Sequence, residues 1–217
     1  MRAKRAAFFG MIGVAAALAS IAIASQYAAA PPPPSYSFKD DAAAKVLTLF
    51  DNALPVLAFR FGDQLKPGVD SKYVRSGYIH PLFGPDGEVL TDDFPTDHFH
   101  HHGLFWTWPI IRTRGIKTGT WEPAIPPLRQ HFVRWLRRDV KDGIAALGVE
   151  SVWKLDGKET VARETADFVV HPAFALGRFI DVTLTVEAVG GPLEFQGSQD
   201  AGKGYGGLCF RGAPEFK

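Results

Sequence analysis

Polar and apolar residues alternate along most of this chain. In RFIDVTLTVEA (178–188), Ile180, Val182, Leu184 and Val186 fall on one side and Asp181, Thr183, Thr185 and Glu187 on the other. Period two is the mark of a strand with one buried face. GVESVWKL repeats it with Val149, Trp153 and Leu155, and QHFVRWLRRDV (130–140) and ETVARETADFVV (159–170) follow it more loosely. Asp-Gly pairs at 142–143 and 156–157 lie between such runs, where a hairpin turn needs residues that tolerate positive φ. Helical spacing is confined to DDAAAKVLTLF (40–50), and its continuation into VLAFRF favours strands there too. The pattern predicts an all-β domain, an antiparallel β-sandwich whose long loops carry the Pro, Gly and His residues.

The N-terminus breaks the pattern. Arg2, Lys4 and Arg5 precede an apolar run from Phe8 to Ala24 with one polar residue, Ser20, and the run ends in the small-x-small triplet Ala22-Ile23-Ala24. These are the three parts of a secretory signal peptide, expected to span 1–24 and to send the protein to the periplasm or outside the cell. An uncleaved anchor is the competing reading, and membrane contact is expected only through this segment. Residues 25–36 read as an Ala/Pro-rich linker, with PPPPS at 31–35 favouring polyproline II. The remainder, 37–217, reads as one domain with no internal repeat.

Charge and cysteine content narrow the function classes. Lys and Arg number 24 against 23 for Asp and Glu, a net +1, which argues against a nucleic-acid partner. The single cysteine, Cys209, has no internal disulfide partner; among apolar neighbours in GGLCFR it reads as a buried small hydrophobe.

Candidate chemistry concentrates in DHFHHHGLFWTW (97–108), which holds four of seven histidines and two of five tryptophans. If the segment is extended, His98, His100 and His102 share one face, and Asp97, Phe99 and His101 the other. Such spacing suits a divalent metal ion bound by His98, His100 and His102, with His80 the nearest further ligand. A second reading is acid–base chemistry on a sugar by His80, His98 or His101, with Asp97 orienting an imidazole. Trp106 and Trp108 would then offer an apolar platform, and Lys203, Tyr205 and Arg211 would hold the ligand's polar groups. A third reading is a hydrogen-bonded strand end that merely fixes a loop. Lone His131 and His171 read as satisfied structural or surface residues, and Trp121, Trp135 and Trp153 as core. Asp92, Asp93 and Asp97 lack the spacing of a calcium loop and read as a solvated turn. The glycines of DAGKGYGG lack the strand–helix context of a phosphate loop.

Two strings, YIHPLFGPDGEVLTDDFPTDHFHHHGLFWTW (78–108) and KGYGGLCFRG (203–212), resemble the PmoA-like family of exported bacterial proteins from about Lys72 onward. That resemblance implies a galactose mutarotase-like β-sandwich and a carbohydrate or other small-molecule ligand. The family's methane-oxygenase label carries little weight, because the membrane subunit of that name is a helix bundle and this domain is not. Two departures stand out. His102 occupies the position where relatives commonly carry arginine, in HHRG, and relatives continue past the KGYGG string, so the resemblance implies a domain incomplete at its C-terminus. A metal-dependent hydrolase or oxygenase, and a noncatalytic interaction domain, are the alternatives to a carbohydrate-active one.

Overall fold

The computed structural model describes residues 35–174, 177–200 and 202–216. The expected signal peptide, and the linker up to Pro34, lie outside the described residues. The strands are β1 (Tyr36–Asp41), β2 (Val46–Asp51), β3 (Leu54–Arg60), β4 (Tyr78–Leu82), β5 (Leu104–Thr107), β6 (Ile110–Thr113), β7 (Ile116–Thr118), β8 (Leu128–Lys141), β9 (Ile144–Leu155), β10 (Glu159–Val170), β11 (Ile180–Ala188), β12 (Leu193–Gln196) and β13 (Gly207–Phe210). The ambiguous stretch 40–50 is a hairpin: β1 and β2 pair antiparallel around a turn at 42–45.

A six-stranded sheet, β1-β2-β3-β4-β5-β13, packs on a four-stranded one, β11-β10-β9-β8, and every pairing is antiparallel. The fold is the antiparallel β-sandwich that the period-two pattern requires. Leu47, Leu49, Val56, Leu57, Phe59 and Ile79 from the first sheet meet Ala145, Leu147, Val149, Ala166, Phe168 and Val170 from the second. Fully burying one large side chain of this kind stabilises by about 1.5–3 kcal/mol. A small third sheet, β12-β6-β7, carries Ile111, which belongs to a second cluster with Leu128, Trp153, Leu155 and Val161.

Both Asp-Gly pairs turn hairpins. Asp142 and Gly143 sit at φ 52° and 74° between β8 and β9, where Lys141 pairs with Ile144. Positive φ at both central residues gives the turn the handedness of the twisted strands it joins. Asp156 and Gly157 repeat these values between β9 and β10.

One inward position of β10 departs from the apolar pattern. Glu164 is 1% exposed, and a single carboxylate oxygen accepts hydrogen bonds from the indoles of Trp106 (2.7 Å) and Trp153 (2.7 Å) and from the Gln130 amide (2.9 Å). Burial raises the Glu164 pKa while these donors and the nearby Arg75 charge pull it down. A buried carboxylate is tolerated only with such partners. Trp106 therefore serves the core, and no face of it is open as a ligand platform.

Candidate functional site

The histidine-rich segment is not a strand. Phe94 has φ 49°, His98 N–H donates to Pro95 O (3.0 Å), and His101 N–H donates to His98 O (2.9 Å). Two successive turns replace the extended run, and β5 begins only at Leu104. Proline and Thr-Asp at the head of the segment favour this local folding over a ladder. The expectation that His98, His100 and His102 share one face fails for that reason: a turn does not alternate its side chains.

His102 goes inward. It is 1% exposed, its ring packs edge-on against Phe94 and Phe105, and its Nδ1 lies 2.7 Å from Asp93 Oδ1. The other Asp93 oxygen accepts the Tyr78 hydroxyl proton at 3.0 Å. A carboxylate only accepts, so Nδ1 of His102 donates. Burial is the largest cause of its pKa falling to about 4, outweighing the Asp93 contact that opposes it. The next residue must be glycine: a Cβ on Gly103 would stand 2.2 Å from Ile79 O, where β4 meets β5. Asp93, read from sequence as part of a solvated turn, is in fact the anchor of this frame.

His98, His100 and His101 stay together near the surface. The rings of His98 and His101 stack at 4.6 Å and 10°, and His100 stands edge-on to both, at 5.6 and 4.6 Å. Arg211, arriving from the end of β13, gives both oxygens of Asp97 one guanidinium nitrogen at 2.7 and 2.8 Å and points the other at His101 Nδ1, 3.2 Å away. Asp97 also lies 3.1 Å from His98 Nδ1. Within the chain His98–Asp97–Arg211–His101, the arginine fixes the tautomer of His101. A guanidinium only donates, so Nδ1 of His101 is the acceptor and its proton sits on Nε2. Burial, then the neighbouring His100, His98 and Arg211, hold the His101 pKa at about 4, so that ring is neutral across the physiological range.

Trp121 adjoins this group. Its ring lies 5.5 Å from His101 and 6.1 Å from His100, and it stacks on Tyr205 at 5.1 Å and 16°. Trp121 is thus part-exposed beside the histidines and not a core residue, contrary to expectation. The loop GTWEPAIPP, flanked by Gly119 and Pro123, gave the contrary signal, because a residue between such breakers is not on a strand. Trp108, by contrast, packs against Trp153 (5.9 Å) and Phe195 (4.5 Å) beside both core clusters. Lys203 is exposed, its ammonium 5.8 Å from the Tyr205 ring.

His80 belongs to another neighbourhood. Its Nδ1 is 3.0 Å from the Thr91 hydroxyl, and the charges it feels are Asp93, Arg60 and Asp92, with burial lowering its pKa. His171 is paired with Asp181 at 2.7 Å, in keeping with a surface role. His131 differs from expectation: its Nε2 is buried with no hydrogen-bond partner among the described residues. Cys209 is half-buried on β13 rather than deep in the core. Trp135 and Trp153 pack as expected, on Phe59 and within the second cluster. Among the described residues, no group of three or more His, Cys, Asp or Glu side chains is arranged to hold a metal ion.

A cleft of about 250 Å³ opens beside His100 and Trp121, with Arg75, Ser76 and Gln130 in its wall. His102 also lines it, whereas His98 and His101 stand outside its lining, on the far side of His100.

Comparison with known proteins gives one family: residues 47–217 match the model of a family of unknown function, DUF6807. The match carries neither the PmoA-like label nor the mutarotase-like fold of the sequence reading. No curated protein and no solved structure gives a significant match.

Proposed function

We propose, for a chain that belongs to the DUF6807 family of unknown function, that it is an exported carbohydrate-active domain whose site is the His98–His100–His101 turn, Arg211, Trp121 and Tyr205. The observation that carries this reading is the chain His98–Asp97–Arg211–His101, in which Arg211 sets the His101 tautomer, beside a stacked aromatic pair. It supplies what a sugar demands: an apolar plate for the C–H face of the ring, and a paired acceptor and donor for its hydroxyls.

In this reading His98 Nε2 takes the proton of a sugar hydroxyl, and His101 Nε2–H hydrogen-bonds the oxygen on which charge develops. For an anomeric hydroxyl the ring C–O bond opens as the proton leaves, and the His98 imidazolium returns that proton to the ring oxygen. Atoms and charge balance over the step. His101, held neutral, is the hydrogen-bond donor here rather than the proton-giving acid. His80, which faces Thr91 and Asp93, supports the frame and leaves the chemistry to His98.

Thermal shift and two-dimensional exchange NMR against a panel of monosaccharides test this. We expect binding to at least one sugar and faster anomeric exchange, both lost in Trp121→Ala and the exchange alone lost in His98→Gln. Folded protein with neither binding nor exchange for any sugar would sink it.

A second reading rests on the same triad. Three rings with centroids 4.6–5.6 Å apart are close enough to converge on a divalent transition metal after small rotations. The set is then His98, His100 and His101, with His102 left in its frame. Metal analysis of untagged protein decides it: an equivalent of bound metal, lost in His100→Ala, favours this reading over the first.

A further inference from the structure

A second cleft, of about 320 Å³, lies next to the first, and the two share Asp63 and Ser76. The first falls below, and the second at the small end of, the range of roughly 300–1,000 Å³ usual for small-molecule sites. The shared wall carries an unusual feature. Ser76 is 4% exposed, yet among the described residues its hydroxyl has no hydrogen-bond partner, and neither does Nε of the adjoining Arg75. Buried polar atoms are nearly always satisfied, so each such orphan calls for a partner from outside. In the second cleft His131 Nε2 is a third, beside Phe61 and Phe132, whose rings are 5.0 Å apart.

The charge of the wall selects the partner. Lys45, Lys72, Arg75 and Arg129 line the two clefts against Asp63 and Glu122, four cations to two carboxylates. The outer nitrogens of Arg75 donate to the carbonyls of Thr120 (2.7 Å) and Trp106 (2.8 Å), so its charge is met by dipoles rather than by a hydrogen-bonded anion. The carboxylate whose charge it feels, Glu164, spends its contacts on two indoles and an amide. A guanidinium so placed suits a ligand carboxylate, which accepts from Nε–H and from the Ser76 hydroxyl together.

We infer that the two clefts form one groove for an acidic oligosaccharide, a chain of uronate-type rings. Its first ring sits against Trp121 and the imidazoles, a carboxylate meets Arg75 and Ser76 at the junction, and the next ring reaches His131. This rests on the carbohydrate reading above and extends it from a single sugar to a charged chain.

Calorimetric titration of the intact protein with a mono-uronate, a uronate trisaccharide and a neutral trisaccharide tests the groove. We expect the acidic trisaccharide to bind at least about tenfold tighter than either other ligand. Ser76→Ala should weaken the acidic trisaccharide and leave the neutral one unchanged. His131→Gln should weaken the acidic trisaccharide and leave the mono-uronate unchanged, and His131→Ala, with its fold checked by circular dichroism, should do the same. Equal affinity for acidic and neutral trisaccharides, or for mono-uronate and trisaccharide, overturns the groove while the single-sugar reading stands. Binding of none of the three, together with a silent monosaccharide panel, overturns both.

Discussion

His101 and His102 are neighbours in the chain, and both have a pKa lowered to about 4, yet they sit in opposite settings. His102 is buried among Tyr78, Phe94 and Phe105, and its hydrogen-bond partner, Asp93, is itself held by Tyr78. His101 is half-exposed, stacked on His98 and fixed from behind by an arginine more than a hundred residues away in sequence. Low basicity thus has two causes here. In the first case it is burial in an apolar frame; in the second, burial is joined by neighbouring imidazoles and a guanidinium. Only the second ring is part-exposed, although His102 lines the neighbouring cleft, so a perturbed pKa by itself does not mark a site.

The comparison breaks most sharply at Gly103. The Cβ of Gly103→Ala would stand 2.2 Å from a backbone oxygen of β4, so β4 and β5 must separate to admit it. We expect a loss of about 3 kcal/mol or more in chemical denaturation, the largest effect of any single change considered. A variant as stable as the parent would mean that the frame under the histidine turn is not rigid.

Next comes His102 itself. His102→Ala strands one oxygen of Asp93 in a buried setting and should cost about 2–4 kcal/mol. The matching His101→Ala, on a part-exposed ring, should cost no more than about 1 kcal/mol while abolishing ligand binding. Equal losses from the two would erase the distinction between frame and site.

The same contrast has a pH signature. Folded His102 stays neutral down to about 4, whereas the unfolded chain binds its proton near 6.5, so below 6.5 the unfolded state gains protons that the folded state refuses. The stability due to this histidine is therefore complete above about 6.5 and is lost as pH falls toward 4, by up to about 3 kcal/mol. In His102→Asn the dependence over that window should flatten. His101, being more exposed, should contribute less to the slope.

The smallest effect concerns tautomers. Arg211→Gln removes a positive charge from beside His101 and from Asp97, so the His101 pKa should rise toward 6.5, read by NMR titration. Its stability should change little, because Arg211 pairs with an exposed carboxylate.

Much of the fold was legible in the chain because strands with one wet face write their period into it. Ile180, Val182, Leu184 and Val186 do lie on one face of β11, and both Asp-Gly pairs do turn hairpins. The site was only half legible. A crowd of imidazoles announces itself, and Asp97 and Arg211 join it by hydrogen bonds while Tyr205 stacks on the adjoining Trp121. Which rings converge was not readable, because that depends on two turns set by Pro95 and the positive φ of Phe94, not on a period. Trp106 and Trp121 exchanged their expected places for a related reason. Trp106 lies in a strand whose inward side meets a buried carboxylate, while Trp121 lies in a loop that no alternation describes. Glu164, Arg75 and Ser76 gave no local signal at all, since their importance comes from what the sandwich packs around them.

The most direct test follows the imidazole nitrogens of 15N-histidine-labelled protein during titration with a saccharide that binds. We expect the His98 and His101 Nε2 signals to shift as the ligand fills the site and His102 to stay in place. Movement of His102 with His98 and His101 unmoved would contradict the division of this histidine cluster into frame and site.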